Sequence, residues 1–237
     1  MQSVLADTRS AAAAAKGRRL RLIWKDPQTG RYSHIGWFDA LADGRYSFSY
    51  AAGAVENKNF THVSQYPDLS RTYVSESLPA FFANRVMNRR RPSYEQYIDW
   101  LGLTPDALPV EVMARTGGGR ATDFYQLVED LDLRDGHCEA RFFVSGMRHV
   151  TPGLALLDDL QKGQELDLRD EPDNPVNERA VLLNTEGRPV GYVPDWMVND
   201  VHRLRTEGAV RVYVDKVNPD APARLAVLCR LVATRSS

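Results

Sequence analysis

The sequence predicts an α+β protein. A small N-terminal antiparallel sheet with helices is followed by a compact, partly open β-barrel carrying two short helices. Two observations carry this. "LRLIWK" and "GRYSFSY" alternate in the period of two that a half-buried strand requires. Beyond residue 138, short strand-like runs follow one another with only two short helical runs between them, which is the density of a small barrel.

The elements follow in order. Residues 1–17 are Ala-rich with no face to bury and no Leu-rich apolar core, so a flexible tail rather than a secretory leader is expected. Leu20, Leu22 and Trp24 alternate against Arg19, Arg21 and Ile23 in the first strand, and "DPQTG" turns the chain into "YSHIGWFDAL". Tyr46, Phe48 and Tyr50 then alternate against Arg45, Ser47 and Ser49. Ser77 before Pro79 and the apolar spacing of "PAFFANRVM" predict a helix, and Ser93 a cap for a second, "YEQYIDWLGL", which Gly102 ends. A weaker third helix is expected over Thr122–Leu131.

The polar, glycine-containing "DLRDGHCE" marks a boundary. The expected organisation is therefore an α+β domain over 18–131, a linker over 132–137 and a barrel over 138–237. In the second part "ARFFVSGM", "GQELDLRD", "RAVLLNT" and "PVGYVP" read as strands and "PGLALLDDL" as a short helix. "DWMVNDVHRLRTEG" reads as a helix begun by Asp195 and stopped by Gly208. "AVRVYVDKV" and "ARLAVLCRLVA" make a closing hairpin.

Composition narrows the function. No stretch approaches the roughly 18 to 20 apolar residues that cross a bilayer, and a cytoplasmic protein without cofactor is expected. The net charge is −1, but residues 1–120 hold 16 basic and 11 acidic side chains and residues 121–237 hold 14 and 20. Any nucleic-acid contact must come from local patches. Cys138 and Cys229 are far apart with no CxxC partner, and the histidines show no HxxxH or HExxH spacing, so no metal site is expected. There is no GxSxG, and Asp158 and Asp159 are neighbours on a helix that point apart, so paired-carboxylate chemistry is unsupported. Gly117-Gly118-Gly119-Arg120 lacks the GK[ST] ending of a phosphate loop and reads as a flexible linker.

The connection "LDLRDEPDNPVNERAVLLNTEGRPVGYVP" is longer and more proline-rich than a hairpin needs. Together with "FFVSGMRH" it resembles the HIRAN domain, over roughly 138–235. The first half, through "GRYSFSY" and "LSRTYVSESLPAFFANRVM", is similar to the small N-terminal subdomain of HipA-type kinases over about 20–115, without the HxD and metal-binding Asp motifs of the kinase core.

The HIRAN resemblance implies an OB-like barrel and a non-catalytic protein that binds single-stranded DNA at its 3′ end. It gives Arg148 the role of a phosphate fork that can also stack on a base, and puts His149 where the family usually has an aromatic. Asn177 falls where the family has a polar group, often Asp, for the terminal sugar hydroxyl, and Val176 where it often has Tyr. On the residues themselves, Asp173 and Asn174 can bond their own backbone and stiffen the turn between Pro172 and Pro175. Tyr192 can supply a ring if it faces the same groove. Arg89, Arg90 and Arg91, with Arg85 one turn earlier, form a basic patch that could follow a phosphate backbone. The alternative is an interaction module, a toxin–antitoxin or defence component that docks a protein partner through the HipA-like part.

Overall fold

The computed structural model describes residues 17–235, so the tail over 1–16 lies outside the described residues. The chain divides into two bodies, one of residues up to 89 with 108–130, the other of residues 90–107 with 131 onward.

In the first body, β1 (Arg18–Lys25), β2 (Tyr32–Ala40), β3 (Tyr46–Tyr50), β4 (Tyr73–Ser75) and β5 (Tyr125–Glu129) form a sheet in the order β4-β3-β2-β1-β5. Every neighbouring pair is antiparallel. The alternation of β1 and β3 buries Leu20, Leu22, Trp24 and Phe48 against Phe38, Phe82, Met113 and Leu127, an aromatic-rich core. Helices α1 (Ala52–Glu56) and α2 (Ala80–Ala83) are one turn each.

Four expectations change here. The helix expected to run on through "FFANRVM" is only α2, begun by Pro79 with no side-chain cap from Ser77. It stops because Arg85 turns inward. Its guanidinium donates to Gly118 O at 3.0 Å, pairs with Asp123 at 2.7 Å and lies 4.2 Å from the Phe81 ring centroid. Arg85 is therefore buried and cannot belong to a solvent-facing basic patch. Gly117 to Gly119 are correspondingly an ordered wrap rather than a linker. Gly117 and Gly118 adopt φ of +73° and +57°, and a Cβ on Gly119 would lie 2.9 Å from the Gln126 amide.

The fourth change concerns residues 122–131. They form strand β5, not a helix, because pairing with β1 satisfies their backbone and buries Leu127 and Val128. The helix of this region lies earlier, at Pro109–Thr116. Pro109 opens it, Glu111 accepts the Leu108 N–H at 2.8 Å, and Gly117 ends it in the left-handed region.

In the second body, β6 (His137–Phe143), β7 (Glu165–Glu171), β8 (Ala180–Thr185), β9 (Arg188–Tyr192), β10 (Gly208–Val217) and β11 (Val227–Arg235) form an antiparallel sheet in the order β6-β11-β10-β7-β8-β9. The sheet bends far enough that residues just beyond β6 meet the end of β9. Ser145 N and O exchange hydrogen bonds with Tyr192 O and N, both at 2.8 Å. β10 pairs with β7 only through Val212 and Tyr213, so the barrel stays partly open on that side. This is the OB-like α+β architecture expected of the sequence. Its core includes Phe142, Val181, Leu183, Val190 and Leu231, beneath a helix at Val198–Glu207. That helix is begun by Met197, not Asp195. Cys138 and Cys229 are buried and form no disulfide. The helix Tyr94–Trp100 belongs to this body, where Asn218 Nδ2 donates to Trp100 O at 2.9 Å and Lys216 pairs with Asp99.

Two predictions follow from these contacts. A Cβ at Gly191 would stand 2.5 Å from Val144 Cγ1 and 2.6 Å from Ser145 O, so Gly191→Ala must spring the Ser145–Tyr192 closure. Urea unfolding should show a loss of about 2 kcal/mol or more. Arg85→Ala leaves Asp123 without its partner and opens space beside Phe81. It should cost about 3 kcal/mol by the same measurement.

Candidate nucleic-acid interface

The closure at Tyr192 brings two loops of the second body together. The first is the turn Gly146–His149 that follows β6. Gly146 adopts φ of +67°, its carbonyl accepts the His149 N–H at 2.8 Å, and a Cβ there would be 2.9 Å from Tyr192 Cδ2. Only glycine lets this turn sit on the tyrosine ring. Arg148 and His149 are thrown outward by it. Both are exposed, and among the described residues neither side chain makes a hydrogen bond or ion pair.

The second loop is the connection after β7. Asn174 Oδ1 accepts from the N–H groups of Val176 at 3.0 Å and Asn177 at 3.2 Å, an Asx turn held between Pro172 and Pro175. Asp173, expected to share this work, does not. It is exposed and makes no hydrogen bond, since Asn174 already takes both amides. Val176 stands at the tip, 86% exposed.

Glu171 locks the two loops to each other. Its carboxylate accepts from Tyr192 Oη at 3.0 Å, Asn174 Nδ2 at 3.2 Å and Arg169 at 3.0 Å. Burial works to raise this carboxyl, but its three donors outweigh burial and hold it below its ordinary value. The same arrangement raises Tyr192, through burial first and then the bond to Glu171. Tyr192 is thus a pillar, with Gly146 against its ring and its hydroxyl committed, rather than a free stacking platform.

Asn177 is half-buried and already bonded twice. Its Nδ2 donates to Asp195, and its Oδ1 accepts the Arg179 N–H at 2.9 Å. One N–H and one lone pair of the carboxamide stay open. The sequence reading missed two residues here. Glu171 is the hub of the network, and nothing in its local sequence announces bonds to residues three and 21 positions away. Arg179 is exposed, its guanidinium has no partner among the described residues, and it follows the loop by two positions. A lone arginine two residues after an Asn in a loop was the available signal.

Arg89 and Arg90 are exposed but already engaged in interactions of their own. Without Arg85 they are weaker candidates for a backbone-tracking patch than Arg148 and Arg179. Among the described residues no group of three or more His, Cys, Asp or Glu side chains is placed to hold a metal ion. No helix among them is long and apolar enough to cross a membrane.

Residues 138–235, within the second body, match the model of the HIRAN domain, a family linked to DNA binding. Two solved structures are similar over 43% of this chain, each with 18% identity. One is a protein from Lactobacillus plantarum, covered in full at a TM-score of 0.34, and the other is the HIRAN domain of human HLTF, 80% covered at 0.31. No curated protein matches the chain. The likeness of the first half to the HipA-type subdomain finds no support in these comparisons.

The Glu171 network sets a pH dependence. A carboxyl depressed when folded contributes stability above its unfolded value near 4.5, and that contribution is lost as pH falls through the folded value. Thermal unfolding should therefore show the wild type losing stability below about pH 4.5 more steeply than Glu171→Gln. At pH 7 the variant should be less stable by about 1 kcal/mol.

Proposed function

We propose that the protein is a non-catalytic binder of single-stranded DNA that prefers a free 3′ end, read by the loops joined over Tyr192. The observation that carries this is the pair of unpartnered exposed arginines, Arg148 and Arg179, on loops already stiffened by a glycine turn and an Asx–proline turn. Guanidinium groups with no internal partner are available to phosphate oxygens without first breaking a bond. Because the loops are pre-ordered, little conformational entropy is lost on binding.

The preference for an end comes from Asn177 and Asp195. A terminal sugar hydroxyl both donates and accepts, so it can use the open N–H and lone pair of the Asn177 amide. A 3′-phosphate offers only acceptors, and it brings negative charge toward Asp195, the carboxylate that Asn177 already bonds. Val176, an apolar tip with no π face, gives the loop contact area without strong stacking, so sequence-tolerant and modest affinity is expected. A cytoplasmic site of action, in repair or in defence, fits this reading.

The test is fluorescence anisotropy with labelled oligonucleotides that end in a 3′-hydroxyl or a 3′-phosphate. The hydroxyl end should bind at least fivefold more tightly, and Arg148→Ala should weaken it about tenfold. The logarithm of affinity should fall with the logarithm of salt at a slope of about −1 to −2, the signature of two or so neutralised phosphates on a single strand. Equal binding of both ends together with no loss in Arg148→Ala would reject the proposal.

A further inference from the structure

The reading above leaves one cation beside Tyr192 without a task. In the ladder β7-β8-β9, Arg169 stands opposite Leu182, and Leu182 stands opposite Tyr192. Residues paired directly across antiparallel strands point to the same face, so Arg169 shares a face with Tyr192. Glu171, two positions further along β7, shares it as well. The opposite face is the one that packs the core, through Val181 and Leu183. Arg169 therefore stands two strands away from Tyr192, about 10 Å between Cα atoms.

Glu171 lies between them. Tyr192 Oη and Asn174 Nδ2 occupy its Oε2, and Arg169 Nη2 donates to its Oε1 at 3.0 Å. The carboxyl is ionised at neutral pH, so a fixed negative charge lies beside the path of any strand laid over Tyr192. Arg169 offsets that charge and keeps donors in hand. Its pairing with Glu171 is single-pronged, its side chain is 63% exposed, and it makes no other hydrogen bond among the described residues. Two positions back on the same face, Asp167 is exposed and acidic, so the cationic path does not run beyond Arg169.

We infer that Arg169 is a third phosphate contact of the single strand, inward of the nucleotide at Asn177, so that the strand crosses this face from Tyr192 toward β7. The inference rests on the 3′-end reading and extends it from an end pocket to a short track. Arg148 lies on the near side of the tyrosine and Arg169 on the far side, with Glu171 shielded between them. The open edge of the guanidinium fork can meet two phosphate oxygens while Nη2 stays on Glu171. Asp167 then limits the track to a few nucleotides.

Anisotropy of the full chain with a 3′-hydroxyl hexathymidylate tests it, using strands in which each phosphate in turn is replaced by a neutral methylphosphonate. Arg169→Gln should weaken the unmodified strand about fivefold. It should also make the salt slope shallower by about 0.7, the contribution of one phosphate on a single strand, and Arg169→Lys should restore that slope. In the wild type, replacement at one or two inner linkages should weaken binding, and in Arg169→Gln the same replacement should cost nothing further. Affinity and salt slope unchanged in Arg169→Gln would overturn the inference. So would a weakened variant in which every linkage stays as sensitive as in the wild type, because Arg169 would then act only by holding Glu171. The 3′-end reading fails on a different result, equal wild-type binding of hydroxyl and phosphate ends, so the two failures are told apart.

Discussion

The second body depends on a two-hydrogen-bond bridge between Ser145 and Tyr192 and on what that bridge forces on its neighbours. An open antiparallel sheet has two edges, and here one edge is brought round to touch the other only where Gly191 lets Val144 and Ser145 approach and Gly146 lets the tyrosine ring lie flat. Once the tyrosine is fixed, its hydroxyl reaches Glu171. Glu171 in turn holds Asn174, and Asn174 sets the amides of Val176 and Asn177. A fold-closing contact and a site-organising contact are therefore one chain of bonds. The arginines left over, Arg148 and Arg179, stand at its two ends with no side-chain partner among the described residues.

This arrangement separates rigid parts from available ones. Asn174 and Asn177 look like ligand-binding amides in the sequence, yet most of their capacity is spent on the loop itself. Such spending is what makes a loop a pre-formed surface instead of a segment that must order on contact. Arg85 illustrates the opposite error of reading charge as surface. Four positions before a run of basic residues, it was the one drawn inside, because Asp123, Gly118 O and two aromatic rings engage its two terminal nitrogens and its planar face.

Much of the architecture could be read from the residues, and the failures have physical causes. The strands with clean alternation, β1 and β3, were visible because one face of each is buried. β5 was not, since Tyr125–Glu129 carries too few residues to distinguish a period of two from a helical stripe, and its strand character comes from β1 beside it. The helix at Pro109–Thr116 had a legible start in Pro109 and Glu111 that the competing stripe further on obscured. In the site, the segments were legible from "GMRH" and "EPDNPVNE", but Glu171 was not. Cross-strand and loop-to-strand bonds leave no mark on local sequence.

The central claim is that the turn over 146–149 and the loop over 174–179 act as one surface joined through Tyr192. Hydrogen exchange followed by mass spectrometry, with and without a short 3′-hydroxyl oligothymidylate, examines it directly. The account predicts that amides in both segments gain protection together on adding the strand, and that Tyr192→Phe, which removes the hydroxyl that engages Glu171 and Asn174, uncouples them. Protection of one segment alone, or protection confined to the first body, would contradict it.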